Sequence, residues 1–84
     1  MIVRYTIHAL KNLTENDHTA FGITETLIES VMENPEREDY SRRGQIIAQR
    51  SIDEKHVLRV VYKCEFNYAL VITSYVGRRK QYER

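Results

Sequence analysis

His56-Val57-Leu58-Arg59-Val60-Val61-Tyr62-Lys63-Cys64 decides the architecture of this 84-residue chain. Its β-branched and aromatic residues suit a pleated, half-buried surface, so the stretch reads as a strand. Gln45 to Ile52 and Tyr68 to Val76 have the same character, and short polar connectors separate the three runs (Asp53-Glu54-Lys55 and Glu65-Phe66-Asn67). The pattern predicts an antiparallel meander of three strands. Side chains alternate across a strand, which puts Leu58, Val60, Tyr62 and Cys64 on one face and Val57, Arg59, Val61 and Lys63 on the other. The first set reads as core, with Cys64 a small apolar filler. Arg59 then stands mid-strand on an open face, where either an anion visits it or it pairs with Glu36, Glu38 or Asp39. Its neighbour depends on the hairpin: a two-residue loop brings Arg50 diagonally beside it, and a three-residue loop puts Gln49 directly opposite.

Moving towards the N-terminus, Glu36 to Arg43 is polar and reads as a loop. Before it, Leu27, Ile28, Val31 and Met32 form a compact helical stripe. Thr26 and Glu29 have capping-box spacing at its start, with Thr24 as the alternative cap. Asn34-Pro35 ends the helix, because the residue before proline avoids helical dihedrals. Asn16-Asp17-His18 reads as a loop, and His18 is given no role. Ile7, Leu10 and Leu13 recur every third residue behind Thr6, a cap candidate, and predict an earlier helix with one apolar stripe. Ile2 to Thr6 favours a first strand. The predicted fold is α+β in the order β-α-α-β-β-β: two N-terminal helices packed on one face of an antiparallel sheet, in a single domain over residues 1–84.

Moving towards the C-terminus, the last strand runs into Gly77-Arg78-Arg79-Lys80-Gln81-Tyr82-Glu83-Arg84. That tail concentrates an imbalance hidden in a net charge of +1. Residues 1–41 hold three cations against eight carboxylates, a net −5, whereas residues 42–84 hold ten cations against four, a net +6. An acidic half joined to a basic half points to a polyanionic partner, nucleic acid first. One cysteine excludes an internal disulfide and a Cys-rich metal site. No stretch approaches the ~18 apolar residues of a membrane span, and the N-terminus lacks a signal-peptide pattern, so the expectation is a soluble cytoplasmic domain without a cofactor.

Several motifs occur together in order: Tyr5-Thr6-Ile7-His8-Ala9-Leu10, Gly22-Ile23-Thr24, Asn34-Pro35, Gly44-Gln45 with Ala48-Gln49, His56 to Tyr62, Val71-Ile72-Thr73 and Gly77 to Tyr82. This succession resembles a small prokaryotic domain-of-unknown-function family within the RelE/ParE toxin superfamily, neighbouring the BrnT-type toxins. The resemblance runs nearly end to end. It implies two helices on an antiparallel sheet, and relatives that act as ribonucleases or gyrase poisons restrained by an antitoxin. It also implies metal-independent RNA cleavage, in which the substrate's own 2′-hydroxyl attacks the adjacent phosphorus.

Such chemistry needs a base, an acid and cations around the pentacoordinate phosphate. Arg59, Arg78 and Arg79 are the candidates for phosphate contact, since a guanidinium grips phosphate bidentately. Arg50 joins them if the shorter hairpin forms. Tyr75 and Tyr82 offer stacking or a phenol proton, and Lys80 offers charge or an acid. His8 and His56 are the acid–base candidates, since imidazole is the side-chain type suited to proton transfer at physiological pH. Each has a structural alternative: a solvated tail for Arg78, Arg79 and Lys80, docking of the chain end for Tyr82, and hydrogen bonding for the two histidines. The functional expectation is a toxin-like ribonuclease with RNA and an acidic antitoxin as partners. The alternative is a non-catalytic RNA- or protein-binding module, including a gyrase inhibitor.

Overall fold

A computed structural model of the chain describes residues 2–41 and 43–82; Arg42 of the expected loop and the Glu83-Arg84 end of the tail lie outside them. The described residues form β1 (Val3–Tyr5), α1 (Ile7–Asn12), α2 (Asn16–Ala20), α3 (Glu25–Glu33), β2 (Arg37–Tyr40), β3 (Ile46–Ser51), β4 (His56–Cys64), β5 (Ala69–Arg78) and α4 (Arg79–Tyr82). The α+β class and the β3–β4–β5 meander match the sequence reading.

The sheet has five strands in the order β1-β5-β4-β3-β2, and it is mixed rather than antiparallel. β1 lies parallel to β5, pairing Val3 with Ala69 and Tyr5 with Val71. The expected loop over 36–43 contains β2, antiparallel to β3. The expected loop at 16–18 is the start of α2, and the tail forms α4, so the described residues have four helices instead of two.

The core fills one face of the sheet. Leu58, Val60 and Tyr62 of β4 meet Ala48, Ala69 and Val71 from neighbouring strands and Ile28, Val31 and Met32 from α3. Each fully buried aliphatic side chain contributes ~1.5–3 kcal/mol relative to exposure. α3 begins at Thr24, whose hydroxyl accepts from Leu27 N–H at 3.2 Å, and ends at the Asn34-Pro35 stop. Of the two cap candidates, the structure takes Thr24.

Helix α1 is turned away from its expected stripe. Ile7 is 86% exposed and Leu10 45%, while Ala9 and Asn12 are buried. Thr6 fixes this setting. Its N–H donates to Val71 O at 3.0 Å, its hydroxyl donates to Ile72 O at 2.9 Å, and the same oxygen accepts from Ala9 N–H. Six residues are too few to stand as a helix alone, so these tertiary bonds set the rotation.

A register shift between Val61 and Tyr62 ends the strict alternation of β4. Cys64, expected in the core, is exposed. No helix among the described residues is long and apolar enough to cross a membrane.

Candidate nucleic-acid interface

The β3–β4 connection is the three-residue form. Gln49 lies opposite Arg59, Arg50 lies opposite Leu58, and Ile52 N–H donates to His56 O at 3.0 Å. Arg50 therefore points to the helix layer, where its guanidinium donates to Ser30 O at 3.1 Å and Ser30 Oγ at 2.9 Å. It is not brought to Arg59.

Arg59 does stand on the reverse face, but that face is closed at its centre. The residue is only 6% exposed. Its Nε–H donates to Tyr75 Oη at 2.8 Å, Nη1 to Gln49 Oε1, and Nη2 to Asp39 Oδ2 at 3.2 Å. The Tyr82 ring covers the guanidinium, with 4.2 Å from Cζ to the ring centroid. Of the two readings for Arg59, the structure displays the ion pair with Asp39. Val57 and Val61 on this face are also buried.

Tyr82 is seated by close approach. A Cβ added to Gly77 would fall 2.5 Å from Tyr82 Cε2, so only glycine lets the ring lie against β5 there. Arg37 holds the same residue from the other side by donating to Tyr82 O. A shallow cavity of about 330 Å³ remains here, lined by Arg37, Asp39, Arg59, Gln81 and Tyr82.

The basic tail converges elsewhere. Arg78 at the end of β5 and Arg79 and Lys80 of α4 line a cavity of about 420 Å³ together with Glu54 and Lys55 of the β3–β4 hairpin. Arg79 N–H donates to Lys55 O at 2.8 Å and ties α4 to the hairpin. The Glu36 carboxyl is held below its usual range, chiefly by the Ser51 backbone N–H, with Arg79 and Arg50 adding positive charge nearby. Four cations and one carboxylate thus line one concave site, and nothing in the composition marks Glu54 and Lys55 as part of it.

The two histidine candidates lie outside this cavity lining. His8 is exposed on α1, on the opposite side of the sheet from Arg59. His56 opens β4, packs on Phe21 with ring centroids 4.6 Å apart, and places Nδ1 3.0 Å from Asp53. The Asp53 carboxylate also accepts from Lys55 N–H and His56 N–H, both at 2.7 Å. Its pKa is lowered first by the Lys55 backbone bond and further by His56. His56 is therefore part of the turn that carries Glu54 and Lys55 to the cavity.

A depressed carboxylate stabilises the fold above its unfolded pKa, and that contribution is lost as pH falls through the lower folded value. Asp53→Ala is expected to unfold more readily than wild type at neutral pH. The gap should narrow as pH drops below about 4. Thermal melts across pH check this; a gap that widens on acidification would count against the Asp53 assignment.

His18, given no role from sequence, is 2% exposed. Its Nδ1 lies 3.0 Å from Asp17 Oδ1 and its Nε2 2.9 Å from Ser74 Oγ. With Nδ1–H donating to Asp17, Nε2 accepts from the Ser74 hydroxyl. Asn12 adds to this network by accepting from Thr73 Oγ1–H at 2.8 Å and Ser74 N–H at 3.3 Å. The spacing is that of an acid–base–hydroxyl relay. Ser74 is itself 2% exposed, however, so its hydroxyl is closed to a substrate and the array is a packing device.

Comparisons with family models, with curated proteins and with solved structures gave no match.

Proposed function

We propose that this chain is a toxin-like RNA-acting domain that grips the phosphodiester backbone in the cavity formed by Lys55, Arg78, Arg79 and Lys80, and promotes metal-independent attack by the 2′-hydroxyl. The single observation that carries the reading is the convergence of these four cations, from β5, α4 and the β3–β4 hairpin, on one concave site. Guanidinium and ammonium groups there suit both the ground-state phosphate and the extra charge of the pentacoordinate state. Lys80 is the candidate proton donor to the 5′-oxygen, which leaves as the 2′-oxygen bonds to phosphorus and the 2′-hydroxyl proton passes to water. An acidic antitoxin would compete for the same cations.

Binding without cleavage is the second reading. It is favoured by Arg59, whose hydrogen bonds to Tyr75, Gln49 and Asp39 leave its guanidinium engaged under Tyr82.

One experiment addresses both. Purified protein is incubated with RNA in chelator, with and without ribosomes, beside Arg78→Glu/Lys80→Glu. Wild type should bind with strong salt dependence and yield fragments with cyclic-phosphate ends. The double variant should lose ~10–100-fold in affinity at low salt, with a salt slope shallower by about 1–2. Bound but intact RNA selects the second reading. An unchanged salt slope in the variant would remove the cavity from either.

A further inference from the structure

Glu54 is out of place in a site built only to hold phosphates. A carboxylate repels a phosphate, yet Glu54 lines the cavity beside four cations. Here no described residue donates a hydrogen bond or an ion pair to the Glu54 carboxylate. Lys55, Arg78 and Lys80, which line the same cavity, likewise make no ion pair with it. The Asp53-centred turn, in which Lys55 N–H and His56 N–H are both bound at 2.7 Å, fixes the backbone that places Glu54 in the lining. Arg79 N–H, bonded to Lys55 O at 2.8 Å, locks that turn to the basic strand end.

A ligand that satisfies Glu54, Lys55, Arg78 and Lys80 together carries negative charge for the cations and a neutral hydrogen-bond donor for the carboxylate. A ribonucleotide strand has both, with the 2′-hydroxyl adjacent to the 3′-phosphate on the same sugar. Deoxyribose lacks the donor, and the carboxylates of an acidic peptide could pair with the cations but offer Glu54 none. Acidic residues use the same chemistry when they accept from ribose hydroxyls in dinucleotide sites, and the 2′-hydroxyl is the group by which proteins separate RNA from DNA.

We infer that Glu54 is the specificity-determining residue of the basic cavity: its carboxylate accepts the ribose 2′-hydroxyl while the surrounding cations take the neighbouring phosphate. This rests on the proposal that the cavity binds RNA, and it assigns to one residue the preference for RNA over DNA.

The test is fluorescence anisotropy with three labelled single strands of one sequence, in ribose, deoxyribose and 2′-O-methyl form, with strand integrity checked on gels. A hydrogen bond to a charged acceptor corresponds to roughly 10-fold in affinity. Wild type should bind the ribose strand about 5–10-fold more tightly than either of the others. Glu54→Ala should reduce that ratio to under about 2-fold while binding the deoxyribose strand at least as well, because a repulsive charge has gone. Glu54→Gln, which keeps an acceptor oxygen, should retain part of the ratio. Glu54 is exposed and bonded to no described side chain, so both variants are expected to fold.

Equal binding of the three strands by wild type, or a ratio unchanged in Glu54→Ala, overturns the inference and leaves the RNA-binding reading standing. Failure of all three strands to bind overturns both.

Discussion

Arg59→Ala is expected to lower the free energy of unfolding by about 2–4 kcal/mol, a loss set by what the substitution leaves behind. Asp39, Gln49 and Tyr75 all direct oxygen atoms at the guanidinium. Asp39 has a side chain 32% exposed and regains water, which offsets part of the cost. Gln49 is only 6% exposed and recovers little. Tyr82 also loses the cation beneath its ring, and with it part of the attachment of α4. For a chain of 84 residues this corresponds to a fall in Tm of roughly 10–25 °C. Arg59→Lys should recover less than half, because one ammonium cannot reach three acceptors arranged around a planar fork. Urea denaturation of the three proteins checks the order. A midpoint for Arg59→Ala corresponding to less than about 1 kcal/mol of lost stability would show that the pairs are not coupled to folding.

That expectation governs how activity data are read. Arg59 is the most conspicuous cation of the sequence, and its removal lowers any activity through lost stability, whether or not it touches RNA. Arg78 and Lys80 are exposed, so their charges can be reversed with far less structural cost. They are the cations on which a loss of binding can be assigned to binding.

The elements that were legible in the sequence are those in which packing and local preference agree. β3, β4 and β5 are rich in Val, Ile and Tyr, and α3 has a strong stripe, a cap and a proline stop. β2 was not legible, because Arg37-Glu38-Asp39-Tyr40 has no apolar alternation. It is a strand whose residues on the Arg59 face are charged: Arg37 and Arg59 both meet Asp39 at 3.2 Å. The parallel pairing of β1 with β5 joins residues 66 apart, Val3 to Ala69, and no local pattern reports it. α1 misled because Ile7 and Leu10 look like core, whereas Thr6 and Asn12 decide which side faces in. The run Arg78-Arg79-Lys80 is visible in the sequence as a basic tail, and the structure places it in the lining of one cavity. The hairpin that completes it, with Glu54, is evident only once Arg79 is seen bonded to Lys55.

The second large effect is expected at His18, which shows how a side chain far from the basic cavity holds it in place. His18→Ala removes a fully buried ring and leaves Ser74 Oγ without its partner, and should cost about 3 kcal/mol. Ser74→Ala should cost about 1–2 kcal/mol, since the ring nitrogen then lacks a donor. In the double variant the orphaned partner is absent, so the loss should be smaller than the two single losses combined by about 1 kcal/mol. Urea denaturation with an unchanged m-value measures this; strictly additive losses would show that the 2.9 Å contact carries no coupling. The consequence extends along the chain. His18 O accepts from Ile23 N–H at 2.9 Å, and Phe21, between them, packs on His56. His56 in turn bonds Asp53, whose turn carries Glu54 and Lys55. Loosening α2 therefore removes one support of that turn, while its bond to Arg79 N–H remains. The folded fraction of His18→Ala should keep the salt-dependent part of RNA binding and show a smaller preference for ribose over deoxyribose. Reversing the charges of Arg78 and Lys80 should weaken both.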